Sequence, residues 1–311
     1  MILPCPENFK EFSRLPLTWT LAILNIFIFL LIFSGNKSAL STSSMLNRDG
    51  LTLTGRLYFQ YIESLSEKSR ADKPTWIQQI NRQDPEQIGV LGAYALRDAQ
   101  FVNGAEKMAF KGDQVQISQW REDLAEFKKK YQEQILFRFG ISSSDKSPLA
   151  WITYQFSHSN WLHLFSNLIF LIVMGAAVET LAGGFGVLLI YVFGGFAGAV
   201  GFLWLEGQGT VPMVGASASV SALLAFYCIA ETRMRVRFIY FLSPIPGHWG
   251  PIYLPTLLII PLFLLVDLGS LLSNPEGLGG GVAYAAHLGG TVFGAVIGCL
   301  FRLRRPTVVA S

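Results

Sequence analysis

Three short stretches carry side chains that could perform nucleophilic chemistry together. Val214-Gly215-Ala216-Ser217-Ala218-Ser219-Val220-Ser221 places serines at the head of an apolar segment of 16 residues, Gly215 to Ala230. His163 and Asn167 are four positions apart, so on a helix they share a face. His287 precedes Gly290, Gly294 and Gly298 at spacings of three, four and four. A serine hydroxyl is a weak nucleophile until a positioned base takes its proton, and a neutral histidine is the usual base. The backbone N–H groups of Ala216 and Ser217, at the start of a helix, have no acceptor within it. His163 and Asn167 can add side-chain donors, which completes an oxyanion hole. Those parts define acyl transfer, with water finishing a hydrolysis. Asp267 closes an apolar run near an interface and is not expected to orient His287, so the expectation is a Ser217–His287 dyad and not a triad.

Composition supplies the setting for this chemistry. The chain is 51% hydrophobic and 14% charged, against roughly 25% charged residues in soluble proteins. Runs free of charge fall at 15–36, 147–178, 180–205, 207–230, 238–266 and 277–301, which predicts six bilayer spans. The serine segment would cover only about 24 Å of a hydrocarbon core about 30 Å thick. Its first turn therefore begins below the membrane surface. Residues 37–147 hold 16 of the 24 Lys and Arg and 14 of the 21 Asp and Glu, which marks a polar insertion between the first two spans.

The remaining basic residues orient the chain. Lys10 and Arg14 precede span one, Arg233, Arg235 and Arg237 follow span four, and Arg302, Arg304 and Arg305 follow span six. All fall on one side, which the positive-inside rule makes cytoplasmic. Tails 1–14 and 302–311 are then cytoplasmic and the insertion 36–147 is extracytoplasmic, a long loop that crosses regardless of its charge. A bacterial inner membrane is the expected location. The net charge of +3 gives no reason to invoke nucleic acid. Cys5, Cys228 and Cys299 are widely separated, none in the insertion, and imply no disulfide framework or metal site. Residues 15–35 read as a retained anchor: the apolar run is longer than a signal-peptide core, and Ser34-Gly35-Asn36-Lys37 is no small-x-small cleavage site. No cofactor is called for, and no oligomeric state follows.

Within the insertion, apolar residues recur at spacings of three and four across Arg56 to Leu65 and Val115 to Phe137, which predicts two helices with one buried stripe each. Asn25 is expected to hydrogen-bond between helices. Glu179, in the turn Gly175 to Gly184, is expected to cap or pair with backbone N–H groups. Gly194 to Gly201 form a small-residue face. Span five, 238–266, opens irregularly with Pro244, Pro246, Pro251 and Pro255. The glycines below His287 call for a close partner helix, and the expected partner face is Ser217, Ser221 and Ala225. His158 reads as interfacial.

Gly-x-Ser in a chain with 30 glycines says little alone; the ordered set on spans two, four and six says far more. On these residues the chain resembles the rhomboid family of intramembrane serine proteases. The resemblance covers about 147 to 301 and rests on His158-x4-His163-x3-Asn167, Gly175-x3-Glu179-x3-Gly183, Gly215-Ala216-Ser217-Ala218 and Ala286-His287-x2-Gly290-x3-Gly294. It implies an all-α polytopic bundle of six transmembrane helices, a catalytic core at 148–301, Ser217 as nucleophile and His287 as base. It also implies an oxyanion hole from His163, Asn167, Ala216 and Ser217, supported by His158, Gly215, Gly290 and Gly294. The implied substrates are single-span membrane proteins cut in or near the bilayer. Ala218 departs from the usual glycine after the serine, Ser221 from a usual aromatic residue, and Leu149-Ala150 from a tryptophan-arginine pair.

Two other classes compete with a protease: a catalytically silent rhomboid-like protein that binds transmembrane segments, and a transporter or channel. The second would need repeated broken helices or more intramembrane charge, and no matching halves occur.

Overall fold

The computed structural model describes residues 2–4, 15–35, 47–71, 73–133, 138–142, 147–205, 211–241, 243, 248–273 and 283–304. Cys5, Lys10, Arg14, Pro244, Pro246, Arg305 and residues 134–137, on which sequence expectations touch, lie outside them.

The chain begins its described helices with α1, Pro16–Gly35. The insertion follows as α2 (Arg48–Ser64), α3 (Glu67–Ala71), a 3-10 turn at Thr75–Gln79, α4 (Pro85–Ala95), α5 (Ala99–Gly104) and α6 (Gln114–Gln132). It has a core of its own, in which Leu57, Tyr58, Leu91, Phe101, Trp120 and Leu124 are buried together. Asp98 ties that core. Its carboxylate accepts from the N–H groups of Gln100 and Phe101 at the head of α5, from the Tyr58 hydroxyl at 2.8 Å and from Lys73 Nζ at 2.9 Å.

Beyond the insertion lie α7 (Ala150–Thr153), the long run α8 (Trp161–Leu205), α9 (Ser217–Ala230), α10 (Thr256–Ser273) and α11 (Tyr284–Arg304). At 45 residues α8 is about twice as long as one bilayer crossing requires. It bends at Gly183, where φ is 77°, a conformation only glycine adopts without strain. α1, α8 and α11 are long and apolar enough to cross a membrane, and α9 and α10 are shorter apolar helices. Their outer faces are apolar as well: Phe27 and Leu31 on α1, Leu265 and Val266 on α10, and Val292 and Val296 on α11 are all more than half exposed. Apolar surface so extensive needs a cover other than water.

The first half of α8 clasps the start of α1. Glu179 accepts hydrogen bonds from the N–H groups of Leu17 and Thr18 and from the Thr18 hydroxyl. It satisfies donors that the first turn of α1 leaves open. Farther along α1, Asn25 donates to Tyr191 Oη at 3.1 Å, and Tyr191 donates to the carbonyl of Gln155.

The expectation of a wholly helical fold needs correction. β1 (Ile2–Pro4), β2 (Arg235–Phe241) and β3 (Trp249–Pro255) form an antiparallel sheet in that order, with Arg235 opposite Pro255 and Phe241 opposite Trp249. Residues 238–241 and 249–255 are therefore strand and not the opening of the expected fifth span, and α10 starts at Thr256. The signal was alternation: Val236 and Phe238 are buried while Arg235 is exposed and Arg237 half-buried, a period of two. Pro251 and Pro255 fit because β3 is an edge strand.

Candidate active site

α9 is seated by small residues on two sides. A side chain at Gly290 would overlap the carbonyl of Ala218, one at Gly294 the carbonyl of Ala222, and one at Gly298 would lie 2.8 Å from the carbonyl of Phe226. The matched numbers rise together, so α9 and α11 run parallel with backbones in contact. On the other side the methyls of Ala218 and Ala222 sit over Gly198 and Gly194, so this half of α8 runs antiparallel to α9. The glycine groove below His287 thus takes Ala218, Ala222 and Phe226, one residue on from the expected face of Ser217, Ser221 and Ala225. That register has a chemical consequence. Ser217 and Ser221 stay out of the seam and are half-buried, whereas Ala218 and Ala222 are fully buried.

The departure at Ala218 is absorbed by the same packing, since Gly198 leaves room for its methyl. Ser219, next in sequence, turns inward and donates to Gln155 Oε1 at 3.1 Å. Gln155 in turn lies against Gly195, which has no side chain to displace it.

Ser217 is the first residue of α9, after Ala216 in the N-cap position, and no side chain caps the helix. The earliest bond back into the helix runs from Val220 N to Ala216 O, so the N–H groups ahead of Val220 have no acceptor within it. The strand entering the helix is held by Gly215, whose N–H donates to Tyr154 O at 2.8 Å and whose φ is 124°. Gly215 matters twice: a β-carbon there would be strained and would lie 2.8 Å from His163 Nε2 and 3.8 Å from Asn167 Nδ2. The imidazole of His163 therefore rests directly on the loop leading to Ser217.

His163 and Asn167 share one face of α8, as their spacing predicts. The N–H of His163 donates to Asn160 Oδ1, and its Nδ1 lies 3.2 Å from Ser159 Oγ, so Nε2 faces the serine loop. Asn167 spends one amide hydrogen on the carbonyl of His163 at 2.9 Å and keeps the other. His158 is 1% exposed, its ring edge-to-face with that of His163 and the centroids 5.1 Å apart. It braces the donor histidine from behind.

His287 occupies the first turn of α11, one turn before the Gly290–Ala218 contact. Sequence reasoning missed its partner. Asp267 on α10 is 6% exposed, and its Oδ1 lies 3.1 Å from His287 Nδ1. The expectation that no acid is placed beside His287 is corrected by this contact. Tyr284, one turn back on α11, sets its ring edge against the imidazole at 6.2 Å and 82°. Two groups thus restrain the ring where Ser221 offers no aromatic face. Ser217 Oγ makes no hydrogen bond to His287 in this structure; such catalytic bonds often close only around a substrate. Ser217, His163, Asn167 and His287 nevertheless all border the head of α9. Among the described residues no group of His, Cys, Asp and Glu could hold a metal.

A family model described as Rhomboid domain matches residues 146–304, a range that contains every one of these side chains. Over 80 residues the chain is 41% identical to Rhomboid-like protein 11, chloroplastic, of Arabidopsis thaliana, covering 26% of this chain and 28% of that protein. Over 158 residues it is 27% identical to Rhomboid protein 1, mitochondrial, of Saccharomyces cerevisiae, covering 49% and 41%. The chain thus matches less than half the length of each of these relatives.

Proposed function

This chain belongs to the rhomboid family, and we propose that it is a serine endopeptidase that hydrolyses a peptide bond in or near the transmembrane segment of single-span membrane proteins. Family and apolar helices make it an integral membrane protein. The proposal adds six crossings, with α8 contributing two across Gly183, both termini on the cytoplasmic side and residues 36–147 on the other. A bacterial inner membrane draws no support from the two relatives, whose names place them in a chloroplast and a mitochondrion.

The observation that carries the reading is the convergence of Ser217, His287 and the His163–Asn167 face on a helix terminus with open N–H groups. In the reaction, Ser217 Oγ bonds to the scissile carbonyl carbon as its proton passes to His287 Nε2. The carbonyl oxygen becomes an oxyanion, held by the N–H groups at the head of α9, by His163 Nε2–H and by the free Asn167 amide hydrogen. His287 returns the proton to the amine as the C–N bond breaks, leaving an acyl-serine. Water then gives a proton to His287, adds to the acyl carbon, and the C–O bond to Ser217 breaks with return of that proton. No cofactor takes part in these steps. A fluorophosphonate probe tests the proposal: it should label the wild-type chain and not Ser217→Ala.

One observation favours a second reading. The missing Ser217–His287 hydrogen bond suits a silent rhomboid-like protein that binds transmembrane segments without cutting them. Such a protein would bind a reporter segment and take no probe at Ser217.

A further inference from the structure

Asp267 is the one acidic residue within the apolar run that forms α10, and it points inward. Its neighbours Leu265, Val266 and Leu268 are 70%, 65% and 46% exposed while Asp267 is 6% exposed. Among the described residues, the hydrogen bond to His287 Nδ1 is the one its side chain makes. An acid in an apolar helix is costly unless paired. Had it served only to end the helix, it would face outward with its neighbours.

We infer that Asp267 is a positioning residue for the proposed hydrolysis, so that the working unit is Ser217, His287 and Asp267. An ionised carboxylate only accepts hydrogen bonds. It therefore requires His287 Nδ1 to carry the hydrogen, which leaves the Nε2 lone pair as the site for the serine proton. Asp267 does not take the proton. When Nε2 receives it from Ser217 Oγ, the charge of the imidazolium faces the carboxylate across the existing contact, and the proton leaves again from Nε2 to the amine. The carboxylate comes from α10, a different helix from the glycine-seated α11, so it holds the imidazole from a second element.

This inference rests on the protease reading, and the experiment separates the two. Cleavage of a reporter transmembrane substrate in proteoliposomes is measured for wild type, Ser217→Ala, Asp267→Asn, Asp267→Glu and Asp267→Ser, with melting temperature recorded for each. Asp267→Asn can still tether α10 to α11 but cannot impose the tautomer. We expect its kcat to fall by at least about tenfold with KM within about twofold. Asp267→Glu should recover much of the rate, and formate should raise the kcat of Asp267→Ser without changing its melting temperature. A folded Asp267→Asn enzyme with wild-type kcat overturns the inference, as does a deficit confined to KM. Should Asp267→Asn fail to fold, absence of formate rescue in Asp267→Ser overturns it. A wild-type chain that cleaves nothing defeats the protease reading itself, whereas active wild type with unimpaired Asp267 variants defeats only the role of Asp267.

Discussion

Gly290 meets the carbonyl of Ala218 with no side chain between them, and that contact fixes the register of the helix that carries His287 against the helix that begins at Ser217. The serine helix sets its second residue against one glycine, and the histidine stands one turn before that glycine on α11. The two groups proposed to react are thus carried on helices held by backbone contact, not by their own side chains.

Gly290→Ala should therefore be damaging out of proportion to its size. The added methyl must push α9 and α11 apart, at about 1–3 kcal/mol of stability, with loss of activity because the separation occurs beside Ser217. Gly269 on α10 is the control: a β-carbon there meets nothing within 4 Å, so Gly269→Ala should hold or gain stability, by about 0.5–1 kcal/mol. Thermal denaturation in detergent compares the pair, and equal effects would contradict the seam.

Glu179 is expected to matter for stability and not for chemistry. Glu179→Ala strips acceptors from Leu17 N, Thr18 N and Thr18 Oγ1, which should cost about 1–3 kcal/mol. Glu179→Gln keeps one carbonyl oxygen and should lose less. Melting temperatures rank the three proteins, and kcat of the folded fraction should stay at the wild-type value.

His163 and Asn167 should act on the transition state. Removal of one oxyanion donor typically lowers kcat by about 10²–10³, so His163→Ala and Asn167→Ala should show that loss with KM little changed. A rise in KM at constant kcat would instead mark these side chains as substrate contacts.

Much of the site was legible because its residues carry periodic marks. His163 and Asn167 at spacing four, and His287 above glycines at spacing four, mark helix faces in the sequence itself. The partner face was displaced by one residue because serine and alanine are both small; only the overlap of Gly290 with the Ala218 carbonyl picks the seam. Asp267 was passed over because position in a sequence does not tell which way a helix turns. Its neighbours are apolar and outward, and the inward turn follows from packing against α11. The sheet was hidden for a related reason: 235–241 mixes arginines with apolar residues, and the apolar count extended the next span backward over a strand. The insertion's two long helices were visible in their stripes, whereas the Asp98 cluster joins Tyr58, Lys73 and the head of α5 from segments far apart in sequence.

The most direct test of the central claim is cleavage of a single-span reporter in proteoliposomes by the wild-type chain and by Ser217→Ala at equal folded concentration. A discrete cut in or near the reporter's transmembrane segment, slowed at least about a thousandfold in the mutant, is the expected result. Cleavage that survives Ser217→Ala undiminished would contradict it.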